Sequence, residues 1–266
     1  MEIELAIIPA AGLGTRMRPL SLAGPKELLP FGPRPAIDSV IGELRSAGVK
    51  DIIVILSDNK EQIRHYLDGR LEDRNDSNYR GLRIRYCYQK ELRGNAHAVL
   101  CARELIEDRD FIVAYPDQII RDVAGIERLD NAHAQTDASV VQIIELGASQ
   151  SALFANTGIV GEERFRGYSK IHSISNKSEQ RLIIREGVVR RIFGRMLLTG
   201  EFLSVAERVG RNSHEIDDIP ILQLLARCGA LYGVDINPPY YDVGDLTSYG
   251  AALRSADAWE CRRFRE

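Results

Sequence analysis

The sequence predicts an α/β fold with a doubly wound, mixed but mainly parallel sheet and a smaller β-rich portion in its second half. Two features of the 266 residues support this prediction. Up to about residue 146, short apolar runs of strand length alternate with segments of helical period, which is typical of a parallel sheet covered by helices on both faces. Beyond residue 150 the rhythm changes to several short strands in succession.

The first half contains the apolar strands. Residues 5–8 (LAII) are apolar on both faces, and Pro9 closes the run because it has no backbone donor. An apolar stripe over residues 37–44 predicts a helix that ends near Gly48. Further strands are predicted at 51–57, 82–88, 110–115 and 138–146, further helices at 59–67, 94–106 and 122–135, and a charged loop at 68–80.

The second half is predicted to consist of short strands followed by helices. Strands are expected at 157–161, 169–175, 181–184 and 188–193, with a hairpin turn at 185–187. Helices at 199–208 and 216–227 should precede a strand at 231–236. A final helix is expected to open at 240–245, with Asp245 as its cap, before a charged tail at 259–266.

A glycine-rich turn follows the first strand. Gly12 and Gly14 let the main chain turn tightly, and successive bare N–H groups in such a turn form a concave anion site. Thr15, Arg16 and, after a short loop, Lys26 add a hydroxyl and cations. This combination suits a polyphosphate. Taken alone, the two glycines could equally be ordinary turn residues, because such turns are common after strands.

Two familiar phosphate-binding motifs do not fit this turn. A dinucleotide-binding fingerprint requires a third glycine where Met17 stands. A P-loop requires Gly-Lys-Ser or Gly-Lys-Thr, and Gly24-Pro25-Lys26-Glu27 does not supply it. The missing third glycine argues against a dinucleotide-dependent oxidoreductase.

The complete string matches a different pattern. It reads Gly12-Leu13-Gly14-Thr15-Arg16 and, after a spacer, Pro25-Lys26-Glu27-Leu28-Leu29-Pro30. This resembles the G-x-G-T-R and P-K-x-L-L-P motif of the sugar-nucleotide pyrophosphorylases (sugar-1-phosphate nucleotidylyltransferases), among which the glucose-1-phosphate uridylyltransferases look most similar. The resemblance covers nearly the whole chain. It implies one Rossmann-like nucleotidyltransferase domain, with residues 1–150 as the nucleotide-binding half and 151–266 as the acceptor-binding half with a C-terminal helix.

The resemblance implies a magnesium-dependent transfer. The family's two metal-binding aspartates match Asp117, in Tyr-Pro-Asp-Gln, and Asp242, in Tyr-Asp-Val-Gly. Mg²⁺ usually takes one or two carboxylates together with phosphates and water. Arg16 and Lys26 match cations on the leaving β,γ-phosphates and on the α-phosphate, so Arg16, Lys26 and Asp117 are the predicted catalytic residues. Either aspartate taken alone would be interpreted as a helix cap or turn residue.

The nucleotide contacts implied by the resemblance lie in two segments. Gln89 and Gly94 match positions that hold the base, and a glutamine offers both a donor and an acceptor to a pyrimidine edge. His97 is interpreted as structural, because nothing in the sequence pairs it with a nucleophile. At the glycine-rich turn, the implied nucleotide-binding residues are Ala11, Gly12, Gly14 and Thr15.

The acceptor side resembles the family less closely. Gly158 matches a glycine near the sugar, although it could equally mark a strand bulge. The family's I-x-E-K-P becomes Ile174-Ser175-Asn176-Lys177-Ser178, which keeps a lysine for the acceptor phosphate but puts an uncharged residue where a glutamate grips sugar hydroxyls. Gln118 stands where a second carboxylate or an asparagine often follows the metal aspartate. The predicted substrate-binding residues are Gln118, Gly158, Asn176 and Lys177.

Composition indicates which partners to expect. The net charge is −3 and the charged residues are interspersed, so no nucleic-acid or membrane partner is predicted. The arginines at 83, 85, 190 and 191 are predicted to lie on solvated strand faces. The four cysteines form no C-x-x-C pair, which favours reduced, buried thiols in a cytoplasmic protein. Neither a signal peptide nor a bilayer-spanning run is expected.

The sequence therefore predicts an enzyme that condenses an NTP, with UTP or dTTP favoured, with a sugar 1-phosphate to give an NDP-sugar and pyrophosphate. Because the departures lie on the acceptor side, an alternative is the same chemistry on a non-sugar phosphorylated acceptor or a phosphonate, for example by a CTP-dependent cytidylyltransferase. A non-catalytic regulatory homologue is disfavoured, since it would be expected to lose Arg16, Lys26 or the aspartates. The usual oligomeric state of the family implies a homodimer or homotetramer.

Overall fold

One nine-stranded sheet runs through the chain, in a computed structural model that describes residues 3–263 apart from 123, 155, 166, 179 and 181. The strands are β1 Leu5–Pro9, β2 Pro30–Phe31, β3 Arg34–Pro35, β4 Asp51–Leu56, β5 Arg83–Tyr88, β6 Phe111–Ala114, β7 Gln118–Ile120, β8 Ser139–Gly147, β9 Val160–Phe165, β10 Tyr168–Ile174, β11 Val188–Leu198, β12 Leu231–Asp235 and β13 Tyr240–Asp242. The large sheet has the order β5-β4-β1-β6-β11-β8-β12-β10-β9.

The parallel centre of this sheet explains the apolar strands. β1 pairs in parallel with β4 and β6, and β4 pairs in parallel with β5. Every residue of β4 is buried, as are the first four residues of β1, because helices cover both faces. The carboxyl ends of these strands meet at one edge, which is where ligands bind in such sheets.

The helices confirm the doubly wound arrangement. They are α1 Leu20–Ala23, α2 Ala36–Ser46, α3 Glu61–Glu72, α4 Asn95–Cys101, α5 Arg103–Ile106, α6 Gly125–Thr136, α7 Gly200–Gly210, α8 Asp218–Arg227 and α9 Leu246–Arg263. The apolar faces of α2, α3 and α6 belong to one core cluster, and those of α4, α7 and α8 belong to another. The two clusters alternate along the strands, since Ile7 faces one and Ile8 the other.

The β-rich second half continues the same sheet. β11 is antiparallel to both β6 and β8, β12 is parallel to β8, and β9 and β10 form the antiparallel edge. The register of β11 against β8 shifts between Ile192 and Met196. Within this bulge Gly194 has φ +97°, and its N–H donates to Oε1 of Gln118 over 2.6 Å. A Cβ on Gly194 would lie 2.3 Å from Ile120, so the bulge requires glycine.

A small antiparallel ribbon of β7 and β13 lies beside the sheet. Its register places Gln118 opposite Asp242. The N–H of Val243 donates to the carbonyl of Asp117 over 2.8 Å. The ribbon therefore brings together two segments that are far apart in the sequence.

Several local predictions differ from the structure. Residues 182–184 form no strand, so 185–187 is not a hairpin turn; Leu182 and Ile184 pack their side chains in a core cluster without joining a ladder. The last helix begins at Leu246 because the preceding residues pair with β7, and Asp245 caps it as predicted, accepting from the N–H of Thr247 over 2.9 Å. The predicted helix at 94–106 is divided into α4 and α5, and α3 extends into the predicted loop.

Two predictions about burial are also wrong. Arg191 is only 4% exposed, although a solvated strand face was predicted for it. Neighbouring residues of a strand point to opposite faces, so Arg190 and Arg191 cannot share one solvated face. Cys87 and Cys101 are half-buried, but Cys228 is exposed; none of these three is in a disulfide.

Candidate active site

A cavity of about 270 Å³ lies at the carboxyl edge of the central strands. The turn after β1, the segment after β6, the β7–β13 ribbon and the start of α8 all contribute residues to its wall. Helix-covered parallel strands place such a site outside the strand ends. Among the charged residues predicted for the site, the lining includes Arg16, Lys26, Asp117, Lys177 and Asp242.

The glycine-rich turn is shaped by two glycines with different roles. Gly14 has φ +64°, and its carbonyl accepts from the N–H of Met17 over 2.9 Å and from Oγ of Ser21 over 2.8 Å. Gly12 faces open space, because a Cβ there would meet no atom within 4 Å. Thr15 and Arg16 are exposed and Ala11 is buried; of these three residues, only Arg16 lines the cavity. The turn can thus present backbone N–H groups and a cation to an anion.

Lys26 and Asp117 form an ion pair inside the cavity, with side-chain exposures of 14% and 17%. Burial alone lowers the pKa of Lys26, but the charges of Asp117 and Glu27 raise it above the ordinary value. Burial raises the pKa of Asp117, but Lys26 and Arg16 bring it below the ordinary value. Both groups are therefore charged near neutral pH.

Asp242 lies next to this pair. Its Oδ1 accepts the N–H of Gly244 over 2.9 Å. A Cβ on Gly244 would lie 3.0 Å from Oδ2 of Asp117 and 3.0 Å from Oδ1 of Asp242, so the two carboxylates face the same point. Burial, and then repulsion from Asp117, raise the pKa of Asp242 to about 6. Two half-buried carboxylates that approach the same point favour a bound cation.

The donor set fits Mg²⁺. The described part of the chain contains no group of three or more His, Cys, Asp or Glu side chains that could hold a metal. A site of two carboxylates is nevertheless the kind that Mg²⁺ uses when substrate phosphates and water complete its shell. Asp117 and Asp242 are the residues of this chain that would hold it, with Lys26 already bonded to Oδ2 of Asp117.

The residues predicted to hold the base form a separate network beside the cavity. Gln89 is 4% exposed, and its Nε2 donates to the carbonyl of Gly94 over 3.0 Å and lies 3.0 Å from Nδ1 of His97. Gly94 has φ +107° and is the N-cap residue of α4. Since His97 bonds Gln89, it helps to position this segment.

The predicted acceptor residues are only partly brought together. Gly158 and Lys177 line the cavity, and Gln118 does so with its Oε1 bonded to Gly194. Lys177 is 71% exposed, and its Nζ lies 3.4 Å from Oδ2 of Asp217. Asn176 does not line the cavity; its Oδ1 accepts from Nε2 of Gln223 over 2.8 Å.

Comparison with known proteins identifies the family. The model of the Nucleotidyl transferase family matches residues 5–186. The chain belongs to this family. A relative from Staphylococcus saprophyticus, UTP–glucose-1-phosphate uridylyltransferase 2, is 30% identical over 265 residues, covering 93% of this chain and 90% of the relative. The UTP–glucose-1-phosphate uridylyltransferase of Bacillus subtilis is 29% identical over 264 residues, covering 93% and 89%.

Solved structures share the fold of this nucleotidyltransferase. A UDP-glucose pyrophosphorylase complexed with UDP-glucose superimposes with a TM-score of 0.80 at 22% identity, covering 98% of this chain and 99% of the other. The UTP-bound UGPase of Acinetobacter baumannii gives a TM-score of 0.76 at 22% identity, covering 95% and 93%. The predicted family resemblance, fold class and enzyme class are confirmed. Among the residues described, no helix is long and apolar enough to cross a membrane.

Two carboxylates in the cavity wall of this nucleotidyltransferase were not predicted from its sequence. Asp217 and Asp218 stand at the start of α8, and Oδ2 of Asp218 accepts the hydroxyl of Tyr115. Burial, and then the charge of Asp217, raise the pKa of Asp218 to about 6. The Asp-Asp pair ahead of a helix resembles an ordinary capping segment, so only the fold reveals that it faces the cavity.

Proposed function

We propose that this protein transfers a nucleotidyl group from an NTP to a sugar 1-phosphate, giving an NDP-sugar and pyrophosphate in a magnesium-dependent reaction. The observation that carries the proposal is the meeting of Lys26, Asp117 and Asp242 beside the glycine-rich turn in one cavity. UTP and glucose 1-phosphate are the first choice, because the relatives at 28–30% identity are named for that pair. dTTP is the second choice of nucleotide.

The reaction requires the protein to position the two substrates and to neutralise phosphate charge. An oxygen of the acceptor phosphate attacks the α-phosphorus in line, the bond from that phosphorus to the β-phosphate oxygen breaks, and pyrophosphate leaves with the electron pair. Lys26 would bind the α-phosphate, Arg16 the leaving phosphates, and the N–H groups of Gly12 and Gly14 the rest of the chain of phosphates. Mg²⁺ held by the two aspartates would neutralise phosphate charge. No covalent enzyme intermediate is needed.

Substrate recognition is divided between the two sides of the cavity. Gln89 and the backbone at Gly94 would bind the base without breaking the hydrogen bonds that join Gln89 to Gly94 and His97. Gly158 has φ +69°, and a Cβ added there would lie 3.6 Å from Ile219 and 3.7 Å from Ile192. The glycine would therefore leave room for a ring on the acceptor side.

One observation favours a second candidate function. Asn176, which replaces the family's sugar-binding glutamate, is bonded to Gln223 outside the cavity. The same nucleotidyl transfer to a non-sugar phosphorylated alcohol or to a phosphonate, with CTP as donor, would need no such contact. A panel of UTP, dTTP, CTP, ATP and GTP against glucose 1-phosphate, phosphorylated alcohols and phosphonates, with pyrophosphate release as the readout, distinguishes the two.

The metal site gives the sharpest test of the proposal. Asp117→Asn and Asp242→Asn should each lower Mg²⁺-dependent pyrophosphate release by about 100-fold or more, because a charge that neutralises the transition state is removed. Asp242→Asn should also raise the melting temperature without metal, by removing the repulsion from Asp117, and should abolish stabilisation by Mg²⁺ with nucleotide.

Asp245→Asn is the matched control, because asparagine also caps helices and the carboxylate of Asp245 accepts the backbone N–H groups of Thr247 and Ser248 at the start of α9. It should keep the activity of the wild type. An Asp117 or Asp242 variant with activity within threefold of the wild type would remove that residue from the metal site. Light scattering of the same preparations tests the homodimer or homotetramer, which stays a prediction.

A further inference from the structure

A buried arginine occupies the acceptor side of the cavity. Arg191 lies on β11, is 4% exposed and lines the cavity. Its backbone pairs with Ile159, and the next residue, Ile192, donates its N–H to the carbonyl of Gly158 over 2.9 Å. Arg191 is therefore beside the glycine that leaves room for the acceptor.

The guanidinium of Arg191 is held by two aromatic rings. Its Cζ lies 5.8 Å from the ring centre of Phe154 and 5.9 Å from that of Phe193, within the range of cation–π contacts. The two rings are edge-to-face, with centroids 5.4 Å apart. A guanidinium fixed in this way loses little conformational freedom when it binds a phosphate.

The charge of Arg191 reaches the proposed metal site. Arg191 and Asp242 line the same cavity, and their opposite charges attract each other. In the proposed reaction, the acceptor phosphate would approach the α-phosphate next to Asp117 and Asp242, which line this cavity. A cation here would offset the repulsion that the acceptor phosphate meets.

Lys177 is less suited to that task. The cations that line the cavity are Arg16, Lys26, Lys177 and Arg191. The first two lie on the triphosphate side, and Lys177 is 71% exposed and paired with Asp217. An exposed, paired ammonium contributes little binding, whereas a buried guanidinium can bind two phosphate oxygens at once.

Building on the proposed function, we propose that Arg191 binds the phosphate of the acceptor. Arg191 would thereby select acceptors that carry a phosphate group. Lys177 then has a secondary role at the cavity rim. The test uses glucose 1-phosphate as the phosphorylated acceptor, together with UTP and Mg²⁺.

The test compares two adjacent arginines. Arg191→Met should raise the KM for glucose 1-phosphate by about 30-fold or more, leave the KM for UTP within about twofold, and exceed the effect of Lys177→Met at least fivefold. Arg191→Lys, which keeps the charge, should recover part of the loss. Arg190→Met is the matched control: Arg190 bonds Glu162 and Asp235 and does not line the cavity, so the KM values should stay near wild type.

Several outcomes would overturn the assignment. An unchanged acceptor KM in Arg191→Met, or equal increases in both KM values, would mean that Arg191 only supports the structure. If Arg191→Met does not fold, calorimetric binding of glucose 1-phosphate to Arg191→Lys decides, and an affinity equal to wild type would contradict the proposal. If the wild type is active and Arg191→Met leaves the KM values unchanged, this assignment is refuted but the proposed function is not. If the wild type is inactive on the whole substrate panel, both the proposed function and this assignment are refuted.

Discussion

Three carboxyl groups of the cavity differ in their charge environment although all are aspartates. Asp117 is paired with Lys26, which holds its pKa below the ordinary value against the effect of burial. Burial and a neighbouring carboxylate raise the pKa to about 6 for Asp242 and to about 6 for Asp218. Placement beside a cation or beside another acid decides the difference. The two raised groups are where a cation or a donor from a substrate would bind best.

Asp218 should make stability depend on pH. Its pKa is about 6 in the folded protein against 3.8 for the free side chain, so the folded state holds the proton more tightly. That stabilisation is complete below pH 3.8 and is lost as the pH rises through about 6. The free energy of unfolding of Asp218→Asn minus that of the wild type should increase by on the order of 2–3 kcal/mol from pH 4 to pH 7, measured by urea unfolding.

The exposed Asp108 supplies the control for this experiment. The difference between Asp108→Asn and wild type should be nearly the same at both pH values. Parallel pH profiles for Asp218→Asn and wild type would show that the Asp218 carboxyl is not perturbed.

At the scale of elements, the turn that starts α4 is fixed by backbone contact. The carbonyl of Ile216 accepts the N–H of His97 over 3.1 Å, and the N–H of Ile216 donates to the carbonyl of Arg93 over 2.6 Å. Gly94 lies inside this contact with φ +107°. The segment that carries the proposed base-binding residues is thus attached by hydrogen bonds to the segment leading into α8.

Gly94→Ala should be costly for that reason. The added Cβ would lie 2.6 Å from the carbonyl oxygen of Ile216, and an L-residue is strained at this φ. We expect a loss of at least about 2 kcal/mol in the free energy of unfolding. Gly69→Ala is the matched control, since Gly69 is exposed in α3 and a Cβ meets nothing within 4 Å, so stability should rise by up to about 1 kcal/mol. Equal effects of the two substitutions would contradict the close approach at Gly94.

At the scale of the whole molecule, one buried arginine connects the two halves of the chain. Arg195, on β11, is fully buried and forms an ion pair with Glu43 of α2. Its Nη1 also donates to the carbonyl of Gln118 over 2.9 Å, and its N–H donates to Oε1 of Gln142 over 2.9 Å. Burial raises the pKa of Glu43, and Arg195 opposes that shift. Arg195 and Glu43 therefore connect the large sheet, α2 and the ribbon that carries Asp242.

Removing one member of this pair should destabilise the whole domain. Arg195→Met leaves the Glu43 carboxylate buried without its cation, and we expect a loss of about 3–5 kcal/mol in the free energy of unfolding. The double substitution Arg195→Met with Glu43→Leu should recover at least half of that loss, because no charge is then stranded. A single-variant loss below about 1 kcal/mol would show that the pair is not a link between the halves.

Much of this molecule follows from local sequence. The apolar runs of β1 and β4 and the turn at Gly14 depend on residues close together in the chain, so the parallel α/β fold, the glycine-rich turn and the family were predicted correctly. The residues of the two motifs could be named because their spacing is intact. What each does remains a proposal, although the fold brings Asp117 and Asp242 together as the motifs suggested.

Only the tertiary structure shows which residues meet on the proposed acceptor side. The direction of Arg191 into the cavity, the bond of Asn176 to Gln223 and the position of Asp218 against Tyr115 all depend on contacts between residues distant in sequence. A strand pattern shows that Arg190 and Arg191 face opposite sides, but not which side is the cavity. The proposed triphosphate side follows from a continuous motif, whereas the proposed acceptor side is assembled from segments that meet only when the sheet is complete.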